Sequence, residues 1–82
     1  MNDEDYVKRS KYRTNILKSL KSYPRMPSEI AKAAGMYQNH ISTTLRQLSE
    51  RELVECINPE VRKGRLYRLT DLGEEVADKL DE

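Results

Sequence analysis

The side chains best suited to chemistry lie in one short run of this 82-residue chain: Gln38, Asn39, His40, Ser42, Thr43 and Arg46. They are amides, hydroxyls, an imidazole and a guanidinium, with no carboxylate before Glu50. Such groups hydrogen-bond base edges and phosphates, and the missing acids remove repulsion from a polyanion. An amide such as Asn39 or Gln38 can read adenine in a bidentate way, and Arg46 can read guanine or hold phosphate. His40 is the weaker member of the set. A solvated helix face that happens to lack acids is the plain alternative.

A second cluster is Arg62, Lys63 and Arg65, set around Gly64. Three cations in four residues read as a flexible basic tip, suited to phosphate or minor-groove contact rather than to fixed base readout. An ordinary polar hairpin loop is the competing reading. Catalysis finds no support, because His40 is the only histidine and no nucleophile–base–acid set forms around it. The single Cys56 excludes an internal disulfide, and one His with one Cys leaves no usual zinc site. Cys56 has apolar neighbours and reads as a buried structural thiol. No cofactor, metal or small-molecule ligand is indicated, and the chain is not expected to be an enzyme.

Elements must position these groups. Ile41, Leu45 and Leu48 recur at i, i+4 and i+7, a narrow apolar stripe opposite the polar run. A shorter helix precedes it, with Ile30, Ala31 and Ala34 as its inner face and Pro27 at its first position. Gly35 follows where a helix end wants positive φ. Further back, residues 6–22 lack Gly and Pro, and Tyr12, Ile16, Leu17 and Leu20 fall at helical spacing, which predicts one helix. Tyr23-Pro24 stops it, and Arg25-Met26 reads as an extended link.

Beyond Arg51-Glu52, Leu53–Ile57 reads as a strand that Asn58-Pro59 breaks. Arg65–Leu69 reads as the return strand of a hairpin, with Tyr67 and Leu69 facing the core. Thr70 suits an N-cap, followed by a last helix whose apolar face is Leu72, Val76 and Leu80. The expected core is Ile16, Leu17, Leu20, Ile30, Ala34, Ile41, Leu45, Leu48, Leu53, Tyr67 and Leu69.

Net charge is only +1, but it is unevenly spread. Asp3, Glu4 and Asp5 make residues 1–5 acidic, and residues 71–82 carry six acids against Lys79. Residues 6–70 hold fourteen Lys or Arg against five Glu, a net +9. A basic middle between acidic ends suits a module that turns one face to phosphates. No run approaches a membrane span, no signal-peptide pattern opens the chain, and the composition reads as cytoplasmic.

Three patterns now carry a resemblance. Ile30-Ala31-x-x-Ala34-Gly35-Met36 resembles the second helix and turn of the winged helix-turn-helix family. Ile41-Ser42-x-x-Leu45-Arg46-x-Leu48 running to Leu53-Val54 resembles its third helix and first wing strand. Lys63-Gly64-Arg65-x-Tyr67-x-Leu69-Thr70-x-x-Gly73 is similar to the wing and its exit in MarR/ArsR-like regulators, here of small archaeal type. The resemblance spans about residues 12–76. It implies a mainly α fold with a small β-hairpin: a three-helix core, a two-stranded wing and a C-terminal helix. The composition predicts one domain over residues 6–82 behind a disordered acidic stretch at 1–5.

The sequence departs from that pattern twice. Glu52 stands where the family has Gly, and Tyr37 where the recognition helix usually opens with a Ser or Thr cap. A left-handed Glu52 costs about 1 kcal/mol relative to Gly. At Tyr37, either the helix starts later with Asn39 as cap, or the tyrosine trades its cap for a stacking or backbone contact.

The resemblance implies a sequence-specific regulator of double-stranded DNA, with the recognition helix in the major groove and the basic wing on the backbone or minor groove. The alternatives are a winged-helix protein-interaction module within a larger transcription or processing assembly, and a binder of structured RNA. Leu80, Tyr6 and Val7 lack an obvious partner within so short a chain. They predict a homodimer joined through the first and last predicted helices, so that two recognition helices meet a palindromic site.

Overall fold

The computed structural model describes residues 2–80. Its elements are α1 (Asp3–Lys8), α2 (Lys11–Ser19), α3 (Pro27–Ala34), α4 (Gln38–Glu50), β1 (Val54–Cys56), β2 (Tyr67–Leu69) and α5 (Asp71–Leu80). The expected fold class holds: α2, α3 and α4 enclose a core, β1 and β2 form an antiparallel hairpin, and α5 closes the chain. Among the described residues no helix is long and apolar enough to cross a membrane.

The single helix expected over residues 6–22 is two helices. Ser10 takes extended backbone and its hydroxyl accepts from the Arg13 N–H at 3.3 Å, which caps α2 and breaks the run. Upstream, the Asn2 side chain caps α1 by accepting from Asp5 N–H at 2.8 Å. Residues 2–5 are therefore ordered rather than frayed, a correction to the disordered N-terminus; Met1 lies outside the described residues, as do Asp81 and Glu82 of the acidic end. Lys8 donates to Glu4 at 2.8 Å and holds its carboxyl below the usual carboxylate range.

Packing explains why α1 forms at all. Val7 is fully buried, and Tyr6 is sandwiched by two guanidinium groups, Arg13 at 3.8 Å and Arg51 at 4.1 Å from its ring centre. Arg51 also pairs with Asp3 at 3.0 Å, and Arg13 donates to the Tyr6 carbonyl at 2.9 Å. Tyr6, Val7 and Leu80 all pack on the core of their own chain. The apolar surplus that suggested a dimer seam is thus used internally. Arg13 and Arg51 belong to this clamp and leave the basic surface smaller than the charge count implied.

The helix-turn-helix region follows the sequence closely. Pro27 opens α3, and Glu29 reaches back to the Met26 N–H at 2.8 Å. Gly35 ends α3 with φ 66°, and Met36 N–H closes on the Ala31 carbonyl at 2.9 Å. Glu52, with φ 61°, is the one non-glycine left-handed residue among those described. Its neighbours hold it there: Thr70 donates its hydroxyl to the Glu52 carbonyl at 2.6 Å, and Leu53 N–H bonds Leu48 O at 3.0 Å. These bonds offset the roughly 1 kcal/mol of backbone strain.

The hairpin pairs Val54 with Leu69, Glu55 with Arg68 and Cys56 with Tyr67. Both strands are shorter than expected, because Asn58 takes over the Leu66 N–H at 2.7 Å and the chain leaves the ladder. Arg25 adds a short third edge: its N–H bonds Tyr67 O at 3.0 Å and its carbonyl accepts from Tyr67 N–H at 2.9 Å. An extended residue between Pro24 and Met26 can do this because it is not helical.

Thr70 caps α5 through Gly73 N–H at 3.0 Å, as expected. The inner face of α5 is rotated by one residue from the expected one. Gly73, Val76 and Ala77 are buried, Leu80 is half-buried, and Leu72 is exposed. The expected core is otherwise borne out, except that Ala34 and Tyr67 are half-buried, while Val7, Val54, Val76 and Ala77 join it.

Candidate nucleic-acid interface

Helix α4 sorts its side chains by periodicity alone. Ile41, Thr44, Leu45 and Leu48 are buried, with the Thr44 hydroxyl donating to His40 O at 2.8 Å. Asn39, Thr43 and Arg46 stand at i, i+4 and i+7 on the opposite side and are exposed. Gln38 and Ser42, one turn apart, form one shoulder of that face and are also exposed. None of these five side chains has a hydrogen bond or ion pair among the described residues. Five polar groups with unused donors and acceptors sit together on a helix that rigid packing fixes.

His40 is placed differently. It lies on the other shoulder with Gln47, facing α2. Its ring stacks on Tyr12, centroids 4.8 Å apart and planes 24° from parallel, and it is half-buried. Gln47 accepts from Arg13 Nε at 3.4 Å on the same side. The imidazole therefore helps seat α4 on α2 and stands apart from the free polar face.

The wing is braced, which corrects the expectation of a flexible tip. Asn58 donates from Nδ2 to Gly64 O at 3.1 Å and accepts the Leu66 N–H on Oδ1 at 2.7 Å, tying the loop across its neck. Arg65 turns its guanidinium onto the loop itself, donating to Val61 O at 2.7 Å and Pro59 O at 3.3 Å. Gly64, with φ 76°, makes the turn at the tip. Arg62 and Lys63 are exposed, and their side chains make no hydrogen bond or ion pair among the described residues. Of the three wing cations, two are free to meet a partner and the third holds the loop's shape. Sequence reasoning read Asn58-Pro59 only as a strand breaker; the amide's ability to bond nearby backbone was the signal for its second role.

A brace of this kind has a measurable consequence. Asn58→Ala removes two loop hydrogen bonds and should cost about 1–2 kcal/mol. Amide exchange at Leu66 should speed up by roughly tenfold. An unchanged melt together with unchanged exchange at Leu66 would show that the loop does not depend on Asn58.

Between the helix and the hairpin runs a groove lined by Pro27, Ser42, Leu45, Arg46, Ser49 and Tyr67. It joins the free face of α4 to the strand that carries the wing. No cluster of His, Cys, Asp and Glu able to hold a metal occurs among the described residues. Cys56 is half-buried, with its sulfur 3.5 Å from Asn58 Oδ1.

The chain matches the family model of the HVO_A0261 N-terminal domain over residues 1–82. None of the curated proteins compared with it matches. Among solved structures it is similar to a ZitR mutant from Lactococcus lactis, with TM-score 0.76 and 20% identity over 88% of this chain and 50% of that one. It is similar to the MarR family transcriptional regulator SPO1453 from Silicibacter pomeroyi DSS-3, with TM-score 0.76 and 22% identity over 94% and 57% of the two chains. A third is the MarR family regulator NMB1585 from Neisseria meningitidis, with TM-score 0.75, 20% identity and coverage of 95% and 58%. At these identities the likeness establishes a shared winged-helix fold, and the chain spans about half to three-fifths of the length of those proteins.

Proposed function

The chain belongs to the HVO_A0261 N-terminal domain family, and on that premise we propose that it is a cytoplasmic, sequence-specific regulator of transcription that binds double-stranded DNA. The observation that carries this reading is the free polar face of α4, which carries no acid before Glu50 in the last turn. In this reading α4 enters the major groove, with Asn39, Thr43 and Arg46 nearest the base edges and Gln38 and Ser42 beside them. Arg62 and Lys63 at the wing tip meet the sugar–phosphate backbone or the minor groove, where position rather than sequence is read. His40, stacked on Tyr12, and Arg65, bonded to its own loop, support the interface from behind.

Two tests separate base reading from backbone holding. Asn39→Ala and Arg46→Ala should each weaken specific binding by about 1–3 kcal/mol, roughly 5- to 150-fold, with little change on unrelated sequence for Asn39→Ala. Replacing Arg62 and Lys63 together by alanine should weaken binding to all duplexes alike and flatten the salt dependence by about two phosphate contacts. Specific affinity untouched by both helix substitutions would reject this face as the reader. Lack of any salt-dependent duplex binding by the wild type would favour a protein-interaction module.

A homodimer is part of the same proposal, and it now rests on symmetry alone. Two copies would place two α4 helices about one helical turn apart on a palindromic site. Val7 is buried within one chain and Tyr6 and Leu80 are partly covered there, so a seam through α1, α2 and α5 draws nothing from Val7 and only part of the other two. Sedimentation with and without duplex decides, since a 9.6 kDa species when free and a single chain per duplex when bound would reject the pair.

A further inference from the structure

Tyr37 breaks two local rules at once. It occupies the N-cap of α4 with φ −73° and ψ 143°, where its side chain makes no cap hydrogen bond. Asn2 and Ser10 cap α1 and α2, Glu29 closes the start of α3, and Thr70 caps α5. A hydroxyl or carboxamide at this position would stabilise α4, so the phenol ring forgoes a local gain. It is also 81% exposed, more than any other large apolar side chain described. The next two are engaged: Tyr23 lies under the Arg25 guanidinium at 4.3 Å, and Tyr12 stacks on His40. The ring of Tyr37 has no such contact among the described residues.

Its place gives that exposure a direction. Gln38 and Asn39 follow it directly on the free face of α4, and there is no acid in the first turn. The N-terminal residues of a recognition helix are those that reach base edges. The 5-methyl of thymine is the one apolar group displayed in the major groove. An exposed aromatic ring at the leading end of such a helix matches that group, whereas amides and hydroxyls do not.

We propose that Tyr37 is a specificity-determining residue whose ring packs against the 5-methyl group of one thymine in the bound site, next to the base read by Asn39. This rests on the DNA-binding reading above. A structural role would run the other way, because replacing Tyr37 by a capping residue should leave the fold as stable or more so.

The test uses the whole chain and a duplex selected by the wild type from a random pool. Affinity is measured for wild type, Tyr37→Phe and Tyr37→Ser on that duplex and on copies with each thymine replaced in turn by deoxyuridine. Loss of the methyl at one position should weaken wild type and Tyr37→Phe about fourfold and leave Tyr37→Ser unaffected. On the unmodified duplex Tyr37→Ser should bind roughly tenfold more weakly than wild type, with no fall in melting temperature and unchanged affinity for unrelated DNA.

Three outcomes overturn the inference alone: a selected sequence whose binding ignores every thymine methyl, Tyr37→Ser responding to deoxyuridine as wild type does, or Tyr37→Phe losing as much as Tyr37→Ser, which would assign the contact to the phenol hydroxyl. A wild type that binds no duplex overturns the DNA-binding reading with it.

Discussion

Gly73→Ala should lower stability by about 3 kcal/mol, which for a chain of this size is a fall in Tm of about 12–24 °C. A Cβ at Gly73 would stand 1.9 Å from the Leu53 carbonyl oxygen and 3.4 Å from the Leu69 Cβ. The obstacle is backbone, and it is held: the same carbonyl accepts the Thr70 N–H at 3.1 Å, next to the left-handed Glu52. The added methyl can be fitted only by lifting α5 off the strands, which unseats Val76 and Ala77 from the core. Helix propensity works in the opposite direction, since alanine is favoured over glycine by about 1 kcal/mol inside a helix. The sign is therefore diagnostic. Thermal melting followed by circular dichroism checks it, and a raised Tm would mean that α5 and Leu53 do not approach so closely.

Leu45→Ala should cost about 2–5 kcal/mol. Leu45 is 3% exposed in the middle of the inner stripe of α4, beside Ile41 and Leu48, which are fully buried. It also lines the groove shared with Pro27 and Tyr67, so its loss loosens α4 against both α3 and β2. Against a total stability of about 5–15 kcal/mol this is a large fraction. Denaturant unfolding should show a lower midpoint at unchanged slope. A midpoint equal to that of wild type would make Leu45 peripheral. Because the outward face of α4 is only as rigid as its inward seat, the same variant should bind DNA more weakly at temperatures where it is still mostly folded.

Much of the positioning apparatus was legible because it is local. Pro27 at the start of α3, Gly35 at its end, the stripe of Ile41, Leu45 and Leu48, and the cap at Thr70 each express a conformational preference within a few residues. The left-handed Glu52 could be suspected only from its place beside Leu53-Val54. What was not legible depends on contacts far apart in sequence. Ser10 sits in a basic run with no Gly or Pro nearby, and the break there becomes favourable once Tyr6 can slide between Arg13 and Arg51. The face of α5 was misread by one residue because Leu72, Val76 and Leu80 satisfy helical spacing as well as the true set does. Close approach to Leu53 selects Gly73 instead.

The polar face of α4 was the easiest part of the candidate site to find, since burial of the apolar stripe forces it outward. His40 fits the same polar pattern, and only the position of Tyr12 on α2 shows that its ring is engaged. The wing shows the limit of reading charge alone. Arg62, Lys63 and Arg65 are equivalent as cations, yet Arg65 is bonded to Val61 and Pro59 carbonyls while the other two are free among the described residues.

The central claim is that the outward face of α4 and the wing tip meet DNA together. It is tested most directly by following the backbone amide resonances of the chain as a duplex is added. Shifts should concentrate at Tyr37 through Arg46 and at Arg62, Lys63 and Gly64, with the outer face of α5 silent and the effect fading as salt is raised. Shifts centred on α5, or none at any DNA concentration, would contradict the account.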